Sequence, residues 1–295
     1  MKKGRIVFWC GVFLVILLNG AAWNSTAFAD WYIANIFPIW VGTYGRLTGL
    51  FPFSVGEWLI AAGLVLTAAA GVLGVLWAVW GLAFLVCRVW KAWGPGTRMS
   101  GTWMQKTGGC FGRFTRGFYR FFAWTLLAVS LVMTLNCFIL YHASTFSEHY
   151  FGEQDAEYSL VDLIAVYNMV ASECNRLALE MERDERGMVV YPGSTGAQGE
   201  SLDMADKARE LMARLGETYP QLRGYYPRPK AMFFSDFMCQ QHMQGYYFPF
   251  SMEANYNDVM HILNIPSTMC HELAHLRGYI YEDEANFIGY LACVE

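Results

Sequence analysis

Charge is missing from three long stretches of this chain. No Asp, Glu, Lys or Arg occurs between Arg5 and Asp30, between Glu57 and Arg88, or between Arg120 and Glu148. Only 16% of the 295 residues are charged and 55% are hydrophobic, against about 25% and about 45–50% in soluble domains. The scarcity excludes a chain built only of water-soluble domains. Each uncharged run exceeds the roughly 18–20 apolar residues that cross a bilayer as a helix, whereas buried helices of soluble proteins are this apolar only over about 12 residues. Membrane helices are therefore expected at 58–87 and 121–141.

Residues 1–29 form the first apolar segment and fit two readings. The basic start, apolar middle and small residues Ala27 and Ala29 also suit a signal peptide. Trp23 and Asn24 disturb the compact small-residue stretch that a cleavage site prefers, which favours a retained span.

Acidic residues are absent from the segment between the second and third spans. It holds Arg88, Lys91, Arg98, Lys106, Arg113, Arg116 and Arg120, and Lys2, Lys3 and Arg5 precede the first span. By the positive-inside rule these segments face the cytoplasm. The linker 88–120 is also glycine-rich and is expected to be flexible. Residues 142–295 then lie outside the cytoplasm, and there positive charge is the scarce kind: 10 Lys plus Arg against 23 Asp plus Glu. Such a domain repels nucleic acid and anionic lipid surfaces, so nucleic acid is excluded as a partner, while membrane lipid surrounds the spans.

Cysteine is present at eight positions, but no CxxC pair or zinc-knuckle spacing occurs, so no disulfide is assigned. No internal repeat is visible.

Within 142–295 the pattern reads helix, helix, short strands, helix, helix. Ser159 with Asp162 suits the start of a helix that Gly187 would end, and a loop follows in "MVVYPGSTGAQGE". Ser201 suits the start of a second helix, stopped before Pro220. "PKAMFFSDF" and "GYYFPFSM" suit short strands, with Pro249 requiring an edge position. Ser267 or Thr268 would cap the next helix, and the last begins near Glu282.

Histidine is also scarce, yet two of the six residues stand in "HELAH", 271–275. On a helix, residues i and i+4 share a face, so His271 and His275 can aim two imidazoles at one metal, with Glu272 beside them as general base for water. Gly278 can end this helix in a left-handed conformation and turn the chain back. Zinc in a catalytic site needs a third protein ligand and an open fourth position. A histidine three residues beyond the glycine would complete another known pattern, but that position is Tyr281. A carboxylate is left, from Glu282 or Glu284. No long apolar run surrounds the motif, which argues against catalysis inside the membrane.

"EDEANFIGYL" resembles the Glu-x-x-Ala-Asn/Asp segment of gluzincin metallopeptidases. The resemblance implies Glu282 as zinc ligand and Asn286 as its supporting neighbour, with Glu284 pointing elsewhere. "LFPFSVGEWL", "GYYFPFSMEANYN" and "HELAHLRGYIYEDEANFIGYLAC" together resemble a bacterial family of unknown function, family 3810. Its members join N-terminal membrane spans to a C-terminal gluzincin-like domain and continue past this chain's end, implying a C-terminal truncation here. The implied fold is mainly α, with three transmembrane helices followed by an α+β zincin-like domain carrying a short edge-stranded sheet. The implied activity is zinc-dependent hydrolysis of a peptide or protein substrate at the bacterial cell membrane. A non-catalytic zincin-fold sensor or scaffold is the alternative. Weaker candidates are Tyr279 and Tyr281 as oxyanion contacts and Glu253 and Asn255 as cleft residues. His242 and His261 are expected to make structural hydrogen bonds.

Overall fold

The computed structural model describes residues 2–93, 101–152, 158–190 and 203–294. Among these residues, three helical stretches are long and apolar enough to cross a membrane: Lys3–Asn24, Val55–Val86 and Gly109–Phe151. The first belongs to α1 (Lys2–Asn24) and the second to α4 (Val55–Trp93). The third runs along α5 (Gly101–Met133), through a π-helical turn at Thr134–Phe138 and a 3-10 turn at Leu140–His142. Their apolar side chains are largely exposed, as suits contact with lipid rather than with a protein core. Asn19 donates to Thr134 Oγ1 at 2.8 Å, and Tyr119 donates to the Ala70 carbonyl at 2.7 Å, so the three helices are cross-linked by polar bonds.

The glycine-rich segment expected to be flexible is helical from Gly101 onward. Glycine weakens a helix by about 1 kcal/mol per residue but does not break it as proline does. No proline stands between Pro95 and Pro192.

Two short helices follow α1: α2 (Thr26–Asn35), capped by Ser25, and α3 (Phe37–Thr48). They bury Ala29, Tyr32, Phe37 and Val41 in the core shared with the C-terminal part of the chain. The third stretch closes with α6 (Phe146–Phe151), and α7 (Leu160–Glu180) follows it. Ser159 and Asp162 form the expected reciprocal cap, but α7 ends at Glu180, before Gly187. Gly187, at φ 77°, instead closes a tight turn between the bridged residues Arg183 and Val189. Ser201 and most of the expected loop lie outside the described residues. Helix α8 (Met204–Thr218) starts at Asp203, whose carboxylate accepts from Ala205 N and Asp206 N.

The sheet is small. Strands β1 (Lys230–Ala231), β2 (Gly245–Phe248) and β3 (Glu253–Tyr256) lie in the order β1-β3-β2. β3 runs parallel to β1 and antiparallel to β2, with Phe248 opposite Glu253. β2 is thus an edge, and Pro249 falls in the turn just past it. The strand expected over "PKAMFFSDF" shrinks to its first residues, because Ser235–Gln240 forms α9. Helix α10 (Ile265–His275) begins after Asn264, with Pro266 in its first turn, so Ser267 and Thr268 sit inside it and do not cap it. Helix α11 (Glu282–Val294) packs across α10. Met212, Leu215, Met252, Met269, Leu273 and Ile288 fill the core between α8, the sheet, α10 and α11. Cys10, Cys110, Cys137, Cys174, Cys239, Cys270 and Cys293 are free thiols.

Candidate metal centre

Helix α10 is buried over most of its length, which fixes the direction of its two histidines. Gly278 takes φ 99° and ends the turn after α10. A Cβ there would stand 2.8 Å from Ile33 Cγ2, so the close approach of α2 also demands glycine. The chain then returns through Tyr279–Tyr281 and enters α11 at Glu282.

This turn brings His271, His275 and Glu282 together, with one ligand atom of each within 4.8 Å of the others. His271 Nε2 lies 3.1 Å from His275 Nε2 and 3.1 Å from Glu282 Oε2. His275 Nε2 is 3.8 Å from Glu282 Oε1. Ligand atoms at about 2.0–2.1 Å from a tetrahedral zinc ion are about 3.4 Å apart, so the spacing suits one such ion.

The hydrogen bonds settle which imidazole nitrogens are bare. His271 Nδ1 pairs with Asn286 Oδ1 at 2.9 Å, and His275 Nδ1 pairs with the Tyr279 carbonyl at 2.6 Å. Both partners can only accept, so each Nδ1 carries the proton and each Nε2 presents a lone pair. Two lone pairs and a carboxylate oxygen then face one another at close range. That arrangement is repulsive unless a cation or a shared proton lies among them. Burial, with His271 as the next cause, pushes the His275 pKa down to about 4, which disfavours the proton. His271 is also lowered by burial, although the Glu282 charge and contacts with Asn286 and Glu282 act against the shift. The three donors fit a zinc ion, with Asn286 and the Tyr279 carbonyl orienting the ligands.

Glu272 is buried beside the cluster, and its Oε2 has no hydrogen-bond partner among the described residues. Burial pushes its carboxyl well above the usual range, with the Glu282 charge adding to the effect. The cleft in front, of about 370 Å³, is lined by Gln244, Gly245, Thr268, His271, Glu272 and Glu282. Gly245 went unnoticed in the sequence. A Cβ there would lie 2.7 Å from the Asn255 carbonyl oxygen and 2.6 Å from Glu272 Oε1, so the β3 backbone and the glutamate together demand glycine.

Other expected residues lie elsewhere. The Glu253 carboxylate is spent away from the cleft: it pairs with buried Lys230 and accepts from Gly56 N at 2.8 Å and Ser251 Oγ at 2.6 Å. It thereby binds the start of α4 to the sheet. Tyr281 donates to the Tyr141 carbonyl at 2.8 Å, and Tyr279 to Gln221 Oε1 at 2.9 Å, so both hydroxyls are engaged with the protein in this structure. Asn255 is fully buried in β3. Glu284 does point away from the cluster, accepting from Ser147 Oγ at 2.8 Å. His261 accepts weakly from Leu263 N, whereas His242 lines the cleft at φ 56°.

Fold and site define a class: a mainly helical protein with three candidate membrane helices among the described residues and a His–His–Glu cluster formed by buried His275, half-buried His271 and exposed Glu282. The chain belongs to the family described as "protein of unknown function (DUF3810)", whose model matches residues 32–295. No curated protein and no solved structure matches it.

Proposed function

We propose that this protein is a membrane-anchored, zinc-dependent metallopeptidase with a zincin-like site, and that its cleft faces away from the cytoplasm of a bacterial cell. One observation carries the reading: two bare Nε2 atoms and the Glu282 carboxylate converge at tetrahedral ligand spacing. The basic segments flanking the spans carry the orientation. When bound, zinc supplies Lewis-acid polarisation of a peptide carbonyl and lowers the pKa of water toward about 7.

The chain's own residues do the rest. His271, His275 and Glu282 hold the ion, while Asn286 and the Tyr279 carbonyl keep both imidazoles in the ligating tautomer. Glu272 stands beside them with a free oxygen, placed to take a proton from the attacking water and return it to the leaving amine. The outer edge of β2, the last strand of the sheet, offers backbone groups to an extended peptide, with Gly245 next to Glu272.

The test compares the full chain, purified in detergent, with His271→Ala and Glu272→Gln. Wild type should carry one zinc per chain and cleave members of a peptide library. His271→Ala should lose the metal; equal zinc in both would sink the assignment. Glu272→Gln should keep zinc and lose cleavage. Zinc bound by a wild type that cleaves nothing would favour a non-catalytic sensor or scaffold.

A further inference from the structure

Three phenylalanines stand out on the surface near the start of α4. Phe233 is 88% exposed, and Phe234 and Phe237 are each 55% exposed. Their neighbours explain how the segment is held. Met232 is buried and donates from its backbone to the Tyr256 carbonyl at 3.1 Å. Buried Ser235 donates to the Met232 carbonyl at 2.8 Å. Residues 232–237 are thus a built turn whose inner side chains anchor it and whose aromatic rings point outward.

The turn is fixed to the second span by a carboxylate. Glu57 accepts from Phe233 N through Oε2 and from Phe234 N through Oε1, both at 3.0 Å. Glu57 is also the last charged residue before the 30-residue uncharged run of α4. The bilayer surface therefore lies about one helical turn, 5.4 Å, from Glu57, and a Phe ring spans a comparable reach. Exposed Trp58, Phe51 and Phe53 ring the same end of α4. Phe53 is tied to this face because its carbonyl accepts from Lys230 Nζ at 3.0 Å. Aromatic residues gathered where a span leaves the hydrocarbon are the usual interfacial anchors.

Leaving such rings in water is costly, since removing apolar surface from water is favourable in proportion to the area buried. Continuity with α4 selects the bilayer over a second copy of the chain as the cover. Asp236, exposed between the rings, sets the depth: its carboxylate suits the headgroup layer and not the hydrocarbon.

We propose that Phe233, Phe234 and Phe237 form an aromatic finger that inserts into the bilayer interface beside the second span, pinned there by Glu57. The finger leads through α9 into His242–Gly245, the cleft wall, so it sets the cleft mouth close to the membrane surface. The proposal stands whether or not the cluster binds metal.

Photo-crosslinking in the full chain tests it. Benzoylphenylalanine replaces Phe233, Phe234 or Phe237 singly, and the protein is reconstituted into vesicles of zwitterionic and anionic phospholipid. Trp77, within α4, is the lipid-facing control, and exposed Met188 is the solvent control. After irradiation, intact-mass spectrometry should find lipid adducts at all three finger positions, roughly tenfold above Met188 and comparable with Trp77. Adducts no more frequent than at Met188 would overturn the finger, as would crosslinks mainly to a second protein chain. Glu57→Ala should lower the adduct yield at 233 and 234 severalfold without changing it at Trp77. An unchanged yield would remove Glu57 from the anchor.

Discussion

Helices α7 and α10 reach their conformation by opposite routes. α7 spans 21 residues, opens on a reciprocal Ser159–Asp162 cap, carries the Arg176–Glu173 and Arg176–Glu180 pairs, and buries no residue. α10 spans 11 residues, has no side-chain cap, and buries eight of them. Local signals specify the first, whereas packing specifies the second. The difference matters for chemistry. Caps and exposed ion pairs are each worth roughly 1 kcal/mol or less, too little to hold side chains in one geometry. Dense packing restricts a histidine to one rotamer, and the candidate metal centre is found on the packed helix.

The largest expected effect follows from Glu272, the buried polar group of α10 with an unpartnered oxygen. In a zinc-loaded protein, Glu272→Gln should lower peptide cleavage by about 10²–10⁴-fold, measured as kcat/KM on a responsive peptide. Glu173→Gln in α7 should leave that rate unchanged. Retained cleavage in the Glu272 variant would break the assignment of the general base. Next comes packing. Leu273 is fully buried in α10, and Leu273→Ala should cost about 3–5 kcal/mol of stability by thermal unfolding in detergent. Leu163 of α7 is exposed, so Leu163→Ala should change stability by no more than about 0.5 kcal/mol. Similar costs at the two sites would mean that α7 is packed after all.

Acid should separate the helices as well. In the metal-free protein, His275 is pushed from the ordinary 6.5 to about 4, chiefly by burial. The folded state therefore binds this proton less readily than the unfolded chain. The contribution to stability is fully present above pH 6.5 and is lost as pH falls toward 4. Its size is up to about 3 kcal/mol. His275→Gln should flatten that dependence in chemical unfolding curves recorded across this range, and a slope equal to wild type would place the proton elsewhere.

These contrasts explain what could be read from the chain alone. The spans were legible because lipid demands long uncharged runs. His271 and His275 were legible because a spacing of four residues means one helix face wherever the helix sits. Glu282 needed resemblance, because composition offered Glu284 equally. It is the turn at Gly278, packed against Ile33, that brings Glu282 to the histidines and sends Glu284 to Ser147. Gly245 could not be found, since its role depends on β2 crossing Glu272 from 27 positions away. The Phe-rich stretch 232–237 looked like a strand for its aromatic content. Glu57, far back in the sequence, instead takes up the amides of Phe233 and Phe234 that a strand would have offered to a neighbour. Glu253 was misplaced for the same reason: Lys230 and the start of α4 both claim it over long sequence separations.

The smallest contrast compares two glycines that both need positive φ. Gly187, in the turn after α7, sits at φ 77° with nothing within 4 Å of an added Cβ. Gly187→Ala should therefore cost only the left-handed backbone, roughly 1–2 kcal/mol, and should affect that turn alone. Gly278 sits at φ 99°, and its Cβ would also press on Ile33. Gly278→Ala should exceed the Gly187→Ala cost by about 1 kcal/mol or more, because overpacking adds to the backbone term. It should also weaken zinc binding, since Tyr279, which orients His275, is the next residue. Thermal unfolding with and without added zinc reads both quantities. If the zinc-dependent increase in Tm is lost in Gly278→Ala and kept in Gly187→Ala, the turn sets the ligand geometry. If both variants keep it, Glu282 reaches the histidines without that turn.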